Sequence, residues 1–352
     1  MEKQIASLFE DYTARHDFSG AGLIKRGGTV LFSKACGWAH RGFQVANTVE
    51  TMFDTASVTK LFTAAAILQL ADRGSLRLGD KITQLIDLQG TRIPDDVTVT
   101  HLLTHTSGIA DDADEEAGEA YEDLFIDNPN YSIRNNIDFL PQFAYKEPLF
   151  KAGTAVRYNN CAFVLLGLAI EKVSGCGYQQ YVTKEIFEKC GMRHSAFSAK
   201  DDADAKIAEG YFIHEKDDGA QPVWRKNIYS YPPVGTADGG AYSSVGDLDV
   251  FIRALKDGTL LSEEMSEAMF KPQTRLEKLY EWGKVMSGFG CHFFFDTDGR
   301  LIRMYKDGQN AGVAAMAAYY PDIDTTSIIL ANQDCNVWEL HRKAEQIIFS
   351  GS

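Results

Sequence analysis

Ser57 and Lys60 stand three residues apart in Asp54-Thr55-Ala56-Ser57-Val58-Thr59-Lys60-Leu61-Phe62, at the head of the run Thr63-Ala64-Ala65-Ala66-Ile67-Leu68-Gln69-Leu70. That Ala- and Leu-rich run has strong helix propensity and almost no polar face before Asp72 and Arg73, which predicts a buried helix starting near Ser57. Residues three apart share a helix face, so the Lys60 ammonium can lie beneath the Ser57 hydroxyl. An ordinary Ser-x-x-Lys is an N-cap followed by a snorkelling surface lysine. Here a capping box would want Glu or Gln where Lys60 stands, and a cation in the first turn faces the positive end of the helix dipole. An apolar setting and a helix N-terminus both disfavour a charged lysine, so Lys60 can serve as a base toward a nearby hydroxyl. Backbone N–H groups at the helix start can hold an oxyanion at the same place. The outline is that of a serine nucleophile with a lysine base.

Two other segments bear on this pair. Tyr158 and Asn160, in Arg157-Tyr158-Asn159-Asn160, sit at a loop-to-helix junction with side chains expected to point alike. Alone, they would be a packing tyrosine and a turn asparagine. Lys306-Asp307-Gly308-Gln309 falls at an expected strand end, where charge usually marks a solvated edge.

Other chemistry is weaker. His101 and His105 are four apart, a spacing that can present two imidazoles on one helix face, but no glutamate lies between them and no third ligand is evident. Packing and hydrogen bonding in the turn Thr104-His105-Thr106-Ser107-Gly108 are expected instead, and no metal or cofactor. The acidic stretch Asp111, Asp112, Asp114, Glu115, Glu116, Glu119, Glu122 and Asp123 has Ala117 where a calcium loop needs glycine, so a solvated loop is expected. G-x-S-x-G, Walker A and dinucleotide-binding glycine patterns are absent, which removes the α/β-hydrolases and the usual nucleotide binders.

The elements that must position these groups follow from periodicity. Ile5, Leu8, Phe9 and Tyr12 predict an N-terminal helix, and Gly20 to Lys25 with Thr29 to Trp38 predict a hairpin. Strands are expected again over Phe289 to Phe295, Leu301 to Lys306, Val313 to Tyr320 and Ser327 to Ala331, before a closing helix with Val337, Leu340, Ala344, Ile347 and Ile348 on one face. Between these ends the chain reads as helical over Ser57 to Arg73, Thr98 to Thr104, Asn160 to Val173, Tyr178 to Glu188 and Gly246 to Lys256. The expected organisation is an α+β one: residues 1–75 and 240–352 form a discontinuous α/β domain around an antiparallel sheet, residues 76–239 a mostly helical domain, with the active site in the cleft between them.

The 352 residues, 45% of them hydrophobic, can fill a proper core. A formal charge of −14, from 35 basic against 49 acidic residues, argues against nucleic acid or an anionic membrane as partner. No apolar run approaches the ~20 residues of a membrane span, and no leader is visible at Met1 to Phe9. Six scattered cysteines without CxxC spacing read as free thiols in a reducing compartment, so a cytoplasmic location is expected.

Taken together, Ser57-Val58-Thr59-Lys60, Tyr158-Asn159-Asn160 and Lys306-Asp307-Gly308 resemble the Ser-x-x-Lys, Tyr-x-Asn and Lys-Thr-Gly motifs of the penicillin-recognising serine hydrolases, in particular the class C β-lactamase, DD-peptidase and esterase group. Flanking stretches from Val97 to Gly108 and from Val164 to Gly175 look similar too, and the likeness extends from about Gly20 to Asn332. The resemblance implies a β-lactamase-like fold, an antiparallel sheet flanked by helices with a helical lobe. It implies Ser57 as nucleophile, Lys60 and Tyr158 as general base and acid, Asn160 and Lys306 as substrate contacts beside Asp307 and Gly308, and the N–H groups of Ser57 and Gln309 as oxyanion hole. The implied reaction is acyl transfer through a covalent acyl-enzyme, followed by hydrolysis.

Two departures shape the expected substrate. Ala152-Gly153 replaces the family's frequent Pro-Gly, and Asp307 replaces a threonine that helps hold a substrate carboxylate in antibiotic-hydrolysing members. An aspartate there repels a carboxylate unless it pairs with Lys306 or turns away. The expectation is therefore an esterase- or peptidase-like enzyme acting on a neutral or cationic ester or amide, as a small molecule or short peptide. The alternatives are a penicillin-binding DD-peptidase or β-lactamase and, from another class, a non-catalytic binding protein that keeps the fold.

Overall fold

Strands from both ends of the chain share one antiparallel sheet. The expected N-terminal hairpin forms as β1 (Gly20–Arg26) and β2 (Thr29–Cys36). The last third supplies β3 (Glu277–Tyr280), β4 (Gly283–Ser287), β5 (His292–Phe295), β6 (Leu301–Asn310), β7 (Val313–Tyr320) and β8 (Thr325–Ala331). The sheet order is β3-β4-β5-β6-β7-β8-β1-β2, and β1 closes onto β8 with Gly20 opposite Ala331 and Arg26 opposite Thr325. This computed structural model describes residues 1–114, 117–119, 121–215 and 222–350, so Glu115 and Glu116 of the acidic stretch lie outside the described residues.

Helices cover both faces. The principal ones are α1 (Glu2–His16), α2 (Lys60–Asp72), α3 (Cys161–Ser174), α4 (Val245–Lys256) and α5 (Val337–Ser350). Ile5, Phe9 and Tyr12 of α1 and Val337, Leu340, Ala344 and Ile348 of α5 pack with Ala314, Met316, Ala318 and Tyr320 of β7. The alternate residues Ala315, Ala317 and Tyr319 face a second core that contains α2, α3 and α4. Every β7 side chain is therefore buried, which explains its unbroken apolar run. Helix α2 is buried from Lys60 through Leu70, as a helix apolar all round must be.

Three expectations are revised, and one hairpin is added. The helix expected from Ser57 is a 3-10 turn over Ala56–Thr59 leading into α2, so Ser57 does not cap the α-helix. Tyr178 to Glu188 begins as α-helix over Tyr178–Val182 and widens to a π-turn over Thr183–Glu188. Strand β6 runs past Lys306 to Asn310, with Lys306 opposite Ala317 and Gly308 opposite Ala315, so the third motif lies within a paired strand and not at its end. Polar letters hid this continuation. The β3–β4 hairpin lies outside the expected strands, because neither strand carries an apolar alternation and most of the edge strand β3 is exposed.

Candidate active site

The segment before α2 is pressed against β6. A Cβ added to Gly308 would lie 2.6 Å from the Ser57 nitrogen and 2.7 Å from the Thr55 carbonyl oxygen, so only glycine permits this approach. The 3-10 turn and α2 then carry Ser57 and Lys60 on one face, as their spacing predicts.

Lys60 is fully buried, which excludes a snorkelling surface lysine. Its Nζ donates to Ser57 Oγ at 3.0 Å, to Asn160 Oδ1 at 2.7 Å and to the Asp238 carbonyl at 2.5 Å. An ammonium thus has an acceptor for each of its three hydrogens. Ser57 Oγ also lies 2.7 Å from Tyr158 Oη. The Lys60 and Lys306 ammonium groups sit 5.0 and 4.8 Å from the Tyr158 ring centroid, where both favour negative charge on that phenol. Ser57, Lys60, Tyr158, Asn160 and Lys306 are therefore brought into one cluster from five chain positions, while Asp307, Gly308 and Gln309 line the same cleft.

Asn160 is held from behind. Asp111 accepts the Asn160 N–H at 2.9 Å and the Cys161 N–H at 2.9 Å, taking up orphan donors at the start of α3. The Lys146 ammonium donates to the carbonyls of Asp111 and Asp112 at 3.0 and 2.8 Å, and the Arg157 guanidinium reaches Asp114 at 2.6 Å. The first part of the acidic stretch is thus a buried brace and not the solvated loop expected from its composition. Burial raises the Asp111 carboxyl, against which its N–H donors pull. Burial, followed by the neighbouring charges of Asp111 and Asp238, pushes Asp112 well above the usual carboxylate range.

The two paired histidines do not converge on a common ligand position. His101 Nδ1 accepts the Thr98 N–H in a capping box, whereas His105 leaves the helix with φ +57° and its Nδ1 accepts the Asn159 N–H. The His105 ring lies 4.7 Å from that of Tyr158. Burial, with His292 and Lys306 nearby, keeps His105 neutral by lowering it well below the usual imidazole value.

On the far wall, Asp307 Oδ1 lies 3.7 Å from Lys306 Nζ and its Oδ2 accepts Trp338 Nε1 at 3.2 Å. Burial alone would raise this carboxyl, but the Lys306 ammonium, with His292 beside it, brings it below its ordinary value. His292 is pushed down to about 4 by burial and by Lys306. The cleft in front of Ser57 has a volume of about 410 Å³ and is lined further by Lys278, Tyr280, Tyr305 and Trp338. Asp111, Asp238, His105 and Trp338 carry no local pattern that marks them as site residues. His105 stands out in the sequence only through its spacing from His101, and Asp111 only through the acidic run that contains it, without a sign of its burial.

A hydroxyl poised between an ammonium and a phenol, in front of an antiparallel sheet with helices on both faces, is the arrangement of a serine hydrolase. The sequence matches the family model Beta-lactamase over residues 5–350, and the chain belongs to that family, whose members are serine hydrolases. It is 30% identical to the putative penicillin-binding protein PbpX of Bacillus subtilis (strain 168), across 88% of this chain and 77% of the relative. Penicillin-binding protein 4* of the same organism is 27% identical, across 99% of this chain and 76% of its own. Among solved structures, a penicillin binding protein from Bacillus halodurans is 34% identical and superposes with a TM-score of 0.88, covering 97% of this chain and 99% of that one. The β-lactamase-like fold and the family expected from the three motifs are thereby found.

Proposed function

We propose that Ser57 is the nucleophile of an acyl-transfer reaction on a neutral or cationic ester or amide, a small molecule or a short peptide. Within the family, the chain on this reading acts as one of the class C β-lactamase, DD-peptidase and esterase group. The observation that carries the reading is the position of Ser57 Oγ, 3.0 Å from Lys60 Nζ and 2.7 Å from Tyr158 Oη. When the lysine donates to Oγ, the serine hydrogen is left to turn toward the phenol oxygen. In that state the serine proton passes to the Tyr158 oxygen as phenolate, which the two ammonium groups stabilise. Tyr158 is then the base with Lys60 holding its charge, and the pair returns the proton to the leaving group as general acid.

Attack of Oγ on the substrate carbonyl forms the new C–O bond, and the developing oxyanion is held by the N–H groups of Ser57 and Gln309. Collapse expels the alcohol or amine, and water then releases the acid from Ser57. Asn160 and Lys306 contact the substrate. The ionised Asp307 on the cleft wall disfavours a carboxylate there and favours neutral or positively charged groups. Tyr280, Tyr305 and Trp338 suit an apolar or aromatic substituent. The chemistry calls for no metal or cofactor.

Intact mass with peptide mapping tests the reading, on wild type and Ser57→Ala exposed separately to a fluorophosphonate, a short-chain aryl ester and a penicillin. The expected result is phosphonylation at Ser57, rapid ester turnover and little penicillin adduct, all lost in Ser57→Ala. A persistent penicilloyl adduct would move the reading to a penicillin-binding peptidase. Labelling by none of the three would overturn it in favour of a binding protein.

A further inference from the structure

Beside Ser57, lining a second small cavity together with Ser57 and Asn160, lies a buried ionic cluster that the acyl-transfer chemistry does not use. Asp54, Lys200, Tyr231, Tyr242 and Asn227 meet there. The Asp54 and Lys200 side chains are only 5% and 7% exposed. Lys200 Nζ lies 3.1 Å from Asp54 Oδ2 and donates to Tyr231 Oη at 2.7 Å. Tyr231 Oη in turn donates to Asp54 Oδ2 at 2.6 Å and accepts Asn227 Nδ2 at 3.0 Å. The phenol oxygen therefore has one hydrogen given and two accepted, and the ammonium lies 3.9 Å above the same ring.

The other oxygen of Asp54 is directed at the nucleophile segment. Oδ1 accepts the Ala56 N–H at 2.8 Å. Ala56 immediately precedes Ser57 and has φ +42°, a left-handed conformation that an alanine adopts at a cost of about 1–2 kcal/mol. Its carbonyl accepts the Gly240 N–H at 3.3 Å. This bent peptide sets the direction of the Ser57 N–H, next to Gly308 of β6. A strained residue persists only where its surroundings over-determine it, and here the surroundings are a carboxylate clamped by a lysine and a tyrosine.

We infer that Lys200 is a positioning residue for the oxyanion hole: with Tyr231 it locks Asp54 onto the Ala56 N–H and so aims the Ser57 N–H at the developing oxyanion. Lys200 has a second effect, because it neutralises a carboxylate two peptide units from the place where negative charge forms. An unpaired Asp54 would oppose that charge through a medium that screens poorly. The inference rests on the serine-hydrolase reading and adds a requirement for residues outside the three motifs. Lys200 is 140 residues or more from Ser57 in sequence, and none of the motifs points to it.

The test compares wild type, Lys200→Met, Lys200→Arg and Tyr231→Phe on a short-chain aryl ester and on an aryl boronic acid, which adds to a serine oxygen and mimics the tetrahedral oxyanion. Thermal melts and far-UV circular dichroism establish that each variant is folded. Lys200→Met is expected to lower kcat roughly 10- to 100-fold, below the full loss of an oxyanion donor, with KM changed less than about twofold. Boronate affinity should fall by a similar factor, and Lys200→Arg should recover most of both. Tyr231→Phe removes one hydroxyl with little change in shape and should lower kcat about 3- to 10-fold. Tyr231→Phe therefore decides the matter should Lys200→Met fail to fold. Folded variants with wild-type kcat and boronate affinity, or with a change in KM alone, would overturn the inference while leaving the hydrolase reading intact. A wild type that neither turns over ester nor labels at Ser57 would overturn both.

Discussion

Asp111 and Asn160 are joined by a hydrogen bond from the asparagine backbone N–H to the buried carboxylate at 2.9 Å, while the same asparagine's side-chain oxygen accepts the Lys60 ammonium at 2.7 Å. A brace on the backbone thereby becomes a constraint on the lysine beside Ser57. Replacing Asp111 by Ala removes the acceptor for two helix-start N–H groups and should cost about 1–3 kcal/mol in stability. It should also lower kcat on an aryl ester more than it raises KM, with Asp111→Asn intermediate. Urea unfolding and steady-state kinetics on the three proteins check this, and an Asp111→Ala variant as stable and active as wild type would contradict it.

Gly308 gives a test of the approach between β6 and the nucleophile segment. A methyl group there meets the Ser57 nitrogen at 2.6 Å and the Thr55 carbonyl at 2.7 Å, both backbone atoms that cannot rotate away. Gly308→Ala should cost about 1–3 kcal/mol through overpacking and should suppress fluorophosphonate labelling of Ser57 at least roughly tenfold. The corresponding change at Gly299, which has no neighbour within 4 Å but a φ of +79°, should cost about 1 kcal/mol of stability and leave labelling unchanged.

The charge on Asp307 predicts the sign of a specificity change. Its carboxyl is held below the ordinary range beside Lys306, so it is ionised at neutral pH. Asp307→Thr removes that charge and leaves Lys306 to face an incoming anion. The second-order rate of acylation by a penicillin should rise roughly tenfold, equivalent to about 1.4 kcal/mol of relieved repulsion across partly solvated space. Unchanged reactivity in a folded variant would show that Asp307 does not face the bound ligand.

Stability should fall as the solution is acidified, in part because of a histidine far from the cleft. His341 is buried against Tyr320, and burial followed by the Arg303 charge lowers it from 6.5 to about 3. Between those values the unfolded chain binds a proton that the folded chain does not, so stability is lost as pH drops below 6.5 and the loss continues to about 3. From pH 6.5 to 4.5 this one group accounts for roughly 2–3 kcal/mol. Raised carboxyls such as Asp112 act in the opposite sense, which is why the informative quantity is the difference between wild type and His341→Gln. The variant should lose less stability over this interval in denaturant titrations, and parallel curves would refute the assignment.

Much of the site was legible because it depends on local spacing. Ser57 and Lys60 share a face by helical geometry, the apolar run after them reads as a core helix, and apolar strands at both chain ends can share one layer. The three motifs together identified the family. Local patterns also implied that Tyr158 and Asn160 belong to one junction, which the start of α3 at Cys161 bears out.

Tertiary structure decided everything that depends on which surface covers which charge. A run of aspartates reads the same whether solvated or buried, and only the packing of α3 against the preceding loop turns Asp111 into a cap. Lys306 to Gln309 looks like a strand end until β7 supplies small alanines to pair with it. The Asp54, Lys200 and Tyr231 cluster joins residues up to 177 positions apart, a separation over which neither propensity nor periodicity carries information. Charge balance inside a core is settled by long-range contacts, and those exist only once the sheet has closed and the helices have docked on it.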